Sequence, residues 1–142
     1  YKWFIMKIQS APDIQNRIEK IIKTLELSHI DINRIKCVRS FKSKSNAYAR
    51  IYAFPSVWKV ALNIKPHYVI EVLSEKFDNL SEEEQDMTLI HELCHIPLSF
   101  SGALLSHKTK QFDGKGGHKT VRIDRRTVKK LYKEYKQKLY KH

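Results

Sequence analysis

His91-Glu92-Leu93-Cys94-His95 constrains this chain more than any other stretch. Two histidines four positions apart lie on one face of a helix, so both imidazoles can reach a single metal ion. Glu92 is directed toward the same pocket, where a carboxylate can take a proton from a metal-activated water. A pattern with three fixed positions in five also arises by chance, so its surroundings decide. Here Ser81 starts the helix, with Glu84 three positions on as a capping box, and Pro97 stops it just behind His95. Further histidines follow downstream.

The 142 residues suit one domain spanning 1–142, long enough to bury a real core. No apolar run approaches a membrane span, so no membrane partner is expected. Tyr1–Ile8 is aromatic and apolar but too short for a secretory signal, and no small-residue cleavage site follows it. The chain opens on Tyr rather than Met, consistent with sequence preceding it. Cys37 and Cys94 form no disulfide framework, so a reduced, cytoplasmic setting is expected.

The net charge of +12 is unevenly spread. Residues 119–142 carry ten Lys or Arg against Asp124 and Glu134, whereas Glu71–Glu92 holds eight carboxylates and one lysine. A basic tail beside an acidic stretch suggests contact with a polyanion, DNA above all, through Lys129, Lys130, Lys133 and Lys136. The alternative is a solvated lysine-rich helix face, since no base-reading module is visible.

Ile14, Ile18, Ile21, Ile22 and Leu25 recur at helical spacing, with Ser10 and Pro12 as start signals. Residues 1–9 stand before this helix as an extension. Ile35–Arg39 and Ala47–Phe54 are expected strands joined by the polar loop Ser40–Asn46. Pro55 opens a short helix carrying Val57, Trp58, Val60 and Ala61, and Tyr68–Leu73 is a third strand. After the metal helix, 97–120 is expected to be a glycine-containing loop. The closing basic helix covers 124–140, with Val128, Leu131, Tyr132, Tyr135 and Leu139 on one face. This order predicts an α+β fold, a small twisted sheet packed with helices on one side, as in compact zinc peptidases.

Catalytic zinc takes three protein ligands and keeps a fourth position for water. His91 and His95 supply two, and Pro97 forces the third to come from later in the chain. His107 and His118 are the candidates, His118 standing behind Gly116-Gly117, which permit a sharp turn. His107 is slightly favoured, and Glu134 is a weaker third choice. Cys94 adjoins His95, so it is expected to be a small buried apolar residue rather than a ligand. Tyr132 and Tyr135 are candidate stabilisers of a developing oxyanion, although both lie on the apolar stripe of the last helix.

The runs Tyr68-Val-Ile-Glu-Val-Leu-Ser-Glu-Lys-Phe, Leu89-Ile-His-Glu-Leu-Cys-His-Ile-Pro and Ser99-Phe-Ser-Gly-Ala resemble an archaeal and archaeal-virus family of predicted metallopeptidases. Ala11-Pro-Asp-Ile, Cys37-Val-Arg-Ser, Ala47-Tyr-Ala-Arg, Pro55-Ser-Val-Trp and Arg125-Arg-Thr-Val-Lys-Lys-Leu-Tyr fit the same family, so the resemblance covers nearly all of the chain after Ser10. His91, Glu92 and His95 match its metal motif. The family's later histidine follows a glycine-rich turn, and an apparent insertion here leaves both His107 and His118 as its match. The resemblance implies a minimal zincin-like domain with one Zn2+ per chain, distantly similar to SprT/Spartan-type proteases that act on DNA-crosslinked proteins.

Two functions then compete. One is a zinc endopeptidase acting on protein or peptide, with Glu92 as general base, including a form directed to DNA-associated proteins. The other is a nucleic-acid-binding protein with a structural or vestigial zinc. A structural site has no need of Glu92 and would close the fourth position with another ligand.

Overall fold

The computed structural model describes residues 7–112 and 118–141, with 108–112 and 118–121 described by backbone only. The described residues form a single α+β domain with a four-stranded mixed sheet, a separate two-stranded hairpin and five α-helices. In chain order these are β1 (Lys7–Ser10), α1 (Pro12–Thr24), β2 (Ile35–Phe41), β3 (Ala49–Tyr52), α2 (Ser56–Leu62), β4 (Tyr68–Leu73), α3 (Ser74–Phe77), α4 (Glu82–Cys94), β5 (Lys108–Phe112), β6 (His118–Arg122) and α5 (Arg125–Tyr140).

The sheet order is β1-β2-β4-β3. β4 runs parallel to β2 and antiparallel to β3. Its near-continuous apolar sequence explains the central place, because five of its six residues are buried and a strand covered on both faces needs no polar alternation. The polar segment 42–48 therefore does not close a β2–β3 hairpin. It carries the chain past β4 to the sheet's far edge, where β3 has one side unpaired among the described residues. Part of the 1–9 extension also enters the sheet: β1 pairs antiparallel with β2 from Lys7 to Ser10.

The core lies between one sheet face and α1, α4 and α5. Ile35 and Cys37 of β2 align with Tyr68 and Ile70 of β4 in register, and meet Ile14, Ile18 and Ile21 of α1 and Leu89, Ile90 and Leu93 of α4. All of these are at most 5% exposed. Val128 and Tyr135 close the cluster from α5. Burying a side chain of this size contributes about 1.5–3 kcal/mol. Arg17 ties α1 to α4, donating to Asp86 at 2.6 Å and to Gln85 at 2.8 Å.

The stretch expected to be a loop, 97–120, contains β5 and most of β6, antiparallel partners from Lys108–Arg122 to Phe112–His118. Lysines and threonines fill these strands without a clear apolar alternation, so periodicity gives no strand signal there. Among the described residues no helix is long and apolar enough to cross a membrane.

Candidate metal centre

α4 builds the first part of the site. Ser81 accepts a hydrogen bond from the Glu84 backbone N–H, and Glu82, Glu83 and Glu84 place negative charge in the first turn, where the helix dipole favours it. The Glu84 carboxylate does not complete the reciprocal box with Ser81. It accepts from Arg125 at 3.0 Å and so links α4 to α5. The helix ends at Cys94 and His95 caps it, two residues short of the Ile96 end that Pro97 alone would set.

The segment after α4 delivers the rest. Tyr68, 1% exposed at the start of β4, donates its hydroxyl to Ala103 O and accepts from Gly102 N–H, both at 2.8 Å. Gly102 has φ +96°, and a Cβ there would meet Phe54 O at 3.0 Å, so only glycine fits without strain. With that turn fixed, Leu105 folds back on His95: its N–H donates to His95 O at 2.8 Å, and its carbonyl accepts from His95 Nδ1 at 2.6 Å. A carbonyl only accepts, so Nδ1 carries the proton and Nε2 keeps its lone pair for a metal. Two residues on, the His107 carbonyl accepts from Ile123 N–H at 2.8 Å, which anchors His107 at the base of the β5–β6 hairpin.

His91, His95 and His107 converge, their ligand atoms all within 4.8 Å of one another. His91 Nε2 lies 3.3 Å from both His95 Nε2 and His107 Nε2. Tetrahedral zinc with Zn–N of about 2.0–2.1 Å separates its nitrogens by roughly 3.3–3.4 Å, which matches the two separations made by His91. Burial, and then the neighbouring imidazoles, push the His91 pKa down to about 4. The ring is therefore neutral and ready to ligate at ordinary pH.

Glu92 is buried and lines the clefts on both sides of His91, one of ≈ 330 Å³ and one of ≈ 490 Å³. Desolvation alone pushes its pKa up to about 7, where a carboxyl can both accept and return a proton. Ala49 of β3 lines both clefts too, so the sheet's free edge runs alongside the histidines.

The remaining sequence candidates fall elsewhere. The His118 backbone lies in β6 opposite Phe112, and its side chain is outside the described residues, as are Gly116 and Gly117. Glu134 pairs with Lys138 at 3.2 Å on α5. Cys94 lines a separate apolar cavity with Leu25, Ile90 and Leu131, and burial pushes its thiol up to about 11. Tyr135 is buried in the core and Tyr132 packs against it, and neither lines a cleft at the histidines. Lys129, Lys130 and Lys133 share a concavity with Arg125 and Arg126, whereas Lys136 stands apart, 5.9 Å from the Tyr132 and Tyr140 rings. Arg125 lines the first of these clefts and Arg50 the second, and Arg50 carries no signal in the sequence because an isolated arginine has no spacing pattern.

A family described as putative phage metallopeptidase matches residues 6–136. The chain belongs to that family. No curated protein and no solved structure matches it. Membership implies a metal, and the three-histidine cluster of this metallopeptidase supplies a donor set for one.

Proposed function

We propose that the protein is a zinc-dependent endopeptidase that hydrolyses peptide bonds with Glu92 as general base. The observation that carries this is the joint placement of three convergent imidazoles and a buried carboxyl of raised pKa in one cleft. His91, His95 and His107 would hold one Zn2+, which when bound polarises the scissile carbonyl and acidifies the attacking water. Glu92 takes the proton from that water and returns it to the leaving amine, a role for which a pKa near the operating pH is suited. The substrate chain lies along β3, whose unpaired edge can hydrogen-bond an extended backbone beside the histidines. The basic concavity on α5 adds DNA-associated proteins to the substrates we assign, because Arg125 lines both that concavity and the cleft at Glu92. The test is hydrolysis of unstructured and DNA-bound proteins by the zinc-loaded wild type and by Glu92→Gln. Cleavage by the wild type alone supports the reading, and equal cleavage by both rejects it.

A further inference from the structure

The helix α2 is built inside out. None of its residues, Ser56–Leu62, is buried. Val57, Trp58, Val60 and Leu62 are 54–83% exposed, and Ile64, just beyond the helix, is also exposed. Its one charged residue, Lys59, reaches back to the protein and donates to Ser101 O at 3.0 Å. A helix this short is marginal alone. Contacts at its two ends hold it instead. The Phe54 N–H donates to Gly102 O at 3.0 Å just before it. Asn63, in the left-handed region at φ 52°, closes it with its N–H on Val60 O. Among the described residues no helix or strand packs extensively against it. The backbone is therefore fixed while large apolar side chains stand in water, which marks an interaction surface.

The charge around α2 has one sign. Residues 32–70 contain eight Lys or Arg and no Asp or Glu. Arg34, Arg39 and Arg50 pair with carboxylates from outside that stretch. Lys65 follows Ile64 directly and is exposed. Asp31 is a carboxylate that feels Lys65, and it is already engaged by Arg34 at 2.9 Å. An occupant of this surface must accept aliphatic side chains and complement positive charge. A protein partner would need a seat shaped to a protruding helix, and lysine is depleted at such interfaces. Single-stranded nucleic acid could stack on Trp58 but offers nothing to Val57, Val60 and Leu62. A bilayer with anionic headgroups meets both demands: acyl chains take the aliphatic side chains, Trp lies at headgroup level and lysines meet phosphates.

We propose that α2 docks the protein on an anionic lipid surface, with Val57, Trp58, Val60 and Leu62 inserted and Lys59 and Lys65 beside the headgroups. The contact is peripheral, since no described helix is long and apolar enough to cross a membrane. It stands apart from the peptidase reading.

The experiment uses the full chain with Trp3→Phe, so that Trp58 is the sole tryptophan. Vesicles of phosphatidylcholine alone, or of phosphatidylcholine and phosphatidylglycerol in equal parts, are titrated in. Flotation reads binding and Trp58 emission reads insertion. The protein should float with the anionic vesicles, its Trp58 emission should shift to the blue, and neutral vesicles should bind on the order of tenfold more weakly. Val60→Ser with Leu62→Ser should weaken anionic binding by on the order of tenfold at an unchanged unfolding midpoint, because both side chains already stand in water. The basic helix α5 is a second possible contact, so Lys129, Lys130 and Lys133 are replaced by Gln in a separate variant, which should keep the Trp58 shift. The proposal is overturned by absence of binding to anionic vesicles or by binding that survives the double serine variant. Binding that leaves Trp58 emission unchanged and disappears with the α5 variant overturns it as well. A dimer in sedimentation velocity that the serine variant abolishes, without vesicle binding, would assign the surface to a second copy instead.

Discussion

Glu92 and His91 are neighbours shifted in opposite senses, and the pair determines how the site responds to acid. Burial takes Glu92 up to about 7, so the carboxylate that we propose as the base forms as pH rises through that range. A bound dication favours the carboxylate and draws the value down, placing the acid limb of kcat/KM somewhat below it. His91, at about 4, stays neutral throughout that limb, so zinc should remain bound while activity falls. A pH profile measured with zinc content at each point checks this: loss of metal in step with activity would contradict it. The third ligand is separable in the same way. His107→Ala should weaken zinc binding by orders of magnitude, and His118→Ala should leave it nearly unchanged, as read by competition with a chelating dye. Both histidines are open to the sequence because each follows a plausible turn. The Leu105 carbonyl on His95 and the Ile123 N–H on His107 are what set His107 beside the pair, and such backbone contacts leave no mark in residue identity.

At the scale of elements, α1, α4, α5 and β4 were legible because each carries a long apolar pattern with a local start signal, such as Pro12 or Ser81. The β5–β6 hairpin was not, since Lys108–Phe112 and His118–Arg122 lack a clear apolar alternation. The sheet order was also hidden, because pairing of β4 between β2 and β3 is a long-range choice. The turn at Gly102 joins the two halves of the site, and Gly102→Ala should test it. Positive φ and the approach to Phe54 O should cost on the order of 1–3 kcal/mol in denaturant unfolding, with weakened zinc binding through Leu105. Unchanged stability and unchanged affinity would show that the turn does not position His95. On α5, replacing Lys129, Lys130 and Lys133 by Glu should abolish any salt-sensitive DNA binding in a mobility-shift titration, with zinc retained. Binding that persists would return this helix to a solvated face.

Over the whole molecule, the helix bearing His91 and His95 is packed against a sheet and a closing helix, and the third histidine comes from outside that packed layer. The fold should therefore form without zinc, yet gain from it. A ligand present at a thousandfold its Kd stabilises the native state by about 4 kcal/mol, so chelation should lower the unfolding midpoint without abolishing cooperative unfolding. The most direct test of the central claim is a paired assay of the wild type and Glu92→Gln. Zinc per chain and the rate of cleavage of the same protein substrate are measured on the same samples. Both proteins should hold close to one zinc, and the variant should cleave on the order of 10²–10⁴ times more slowly. Equal cleavage at equal zinc content would contradict the assignment of Glu92 as the general base.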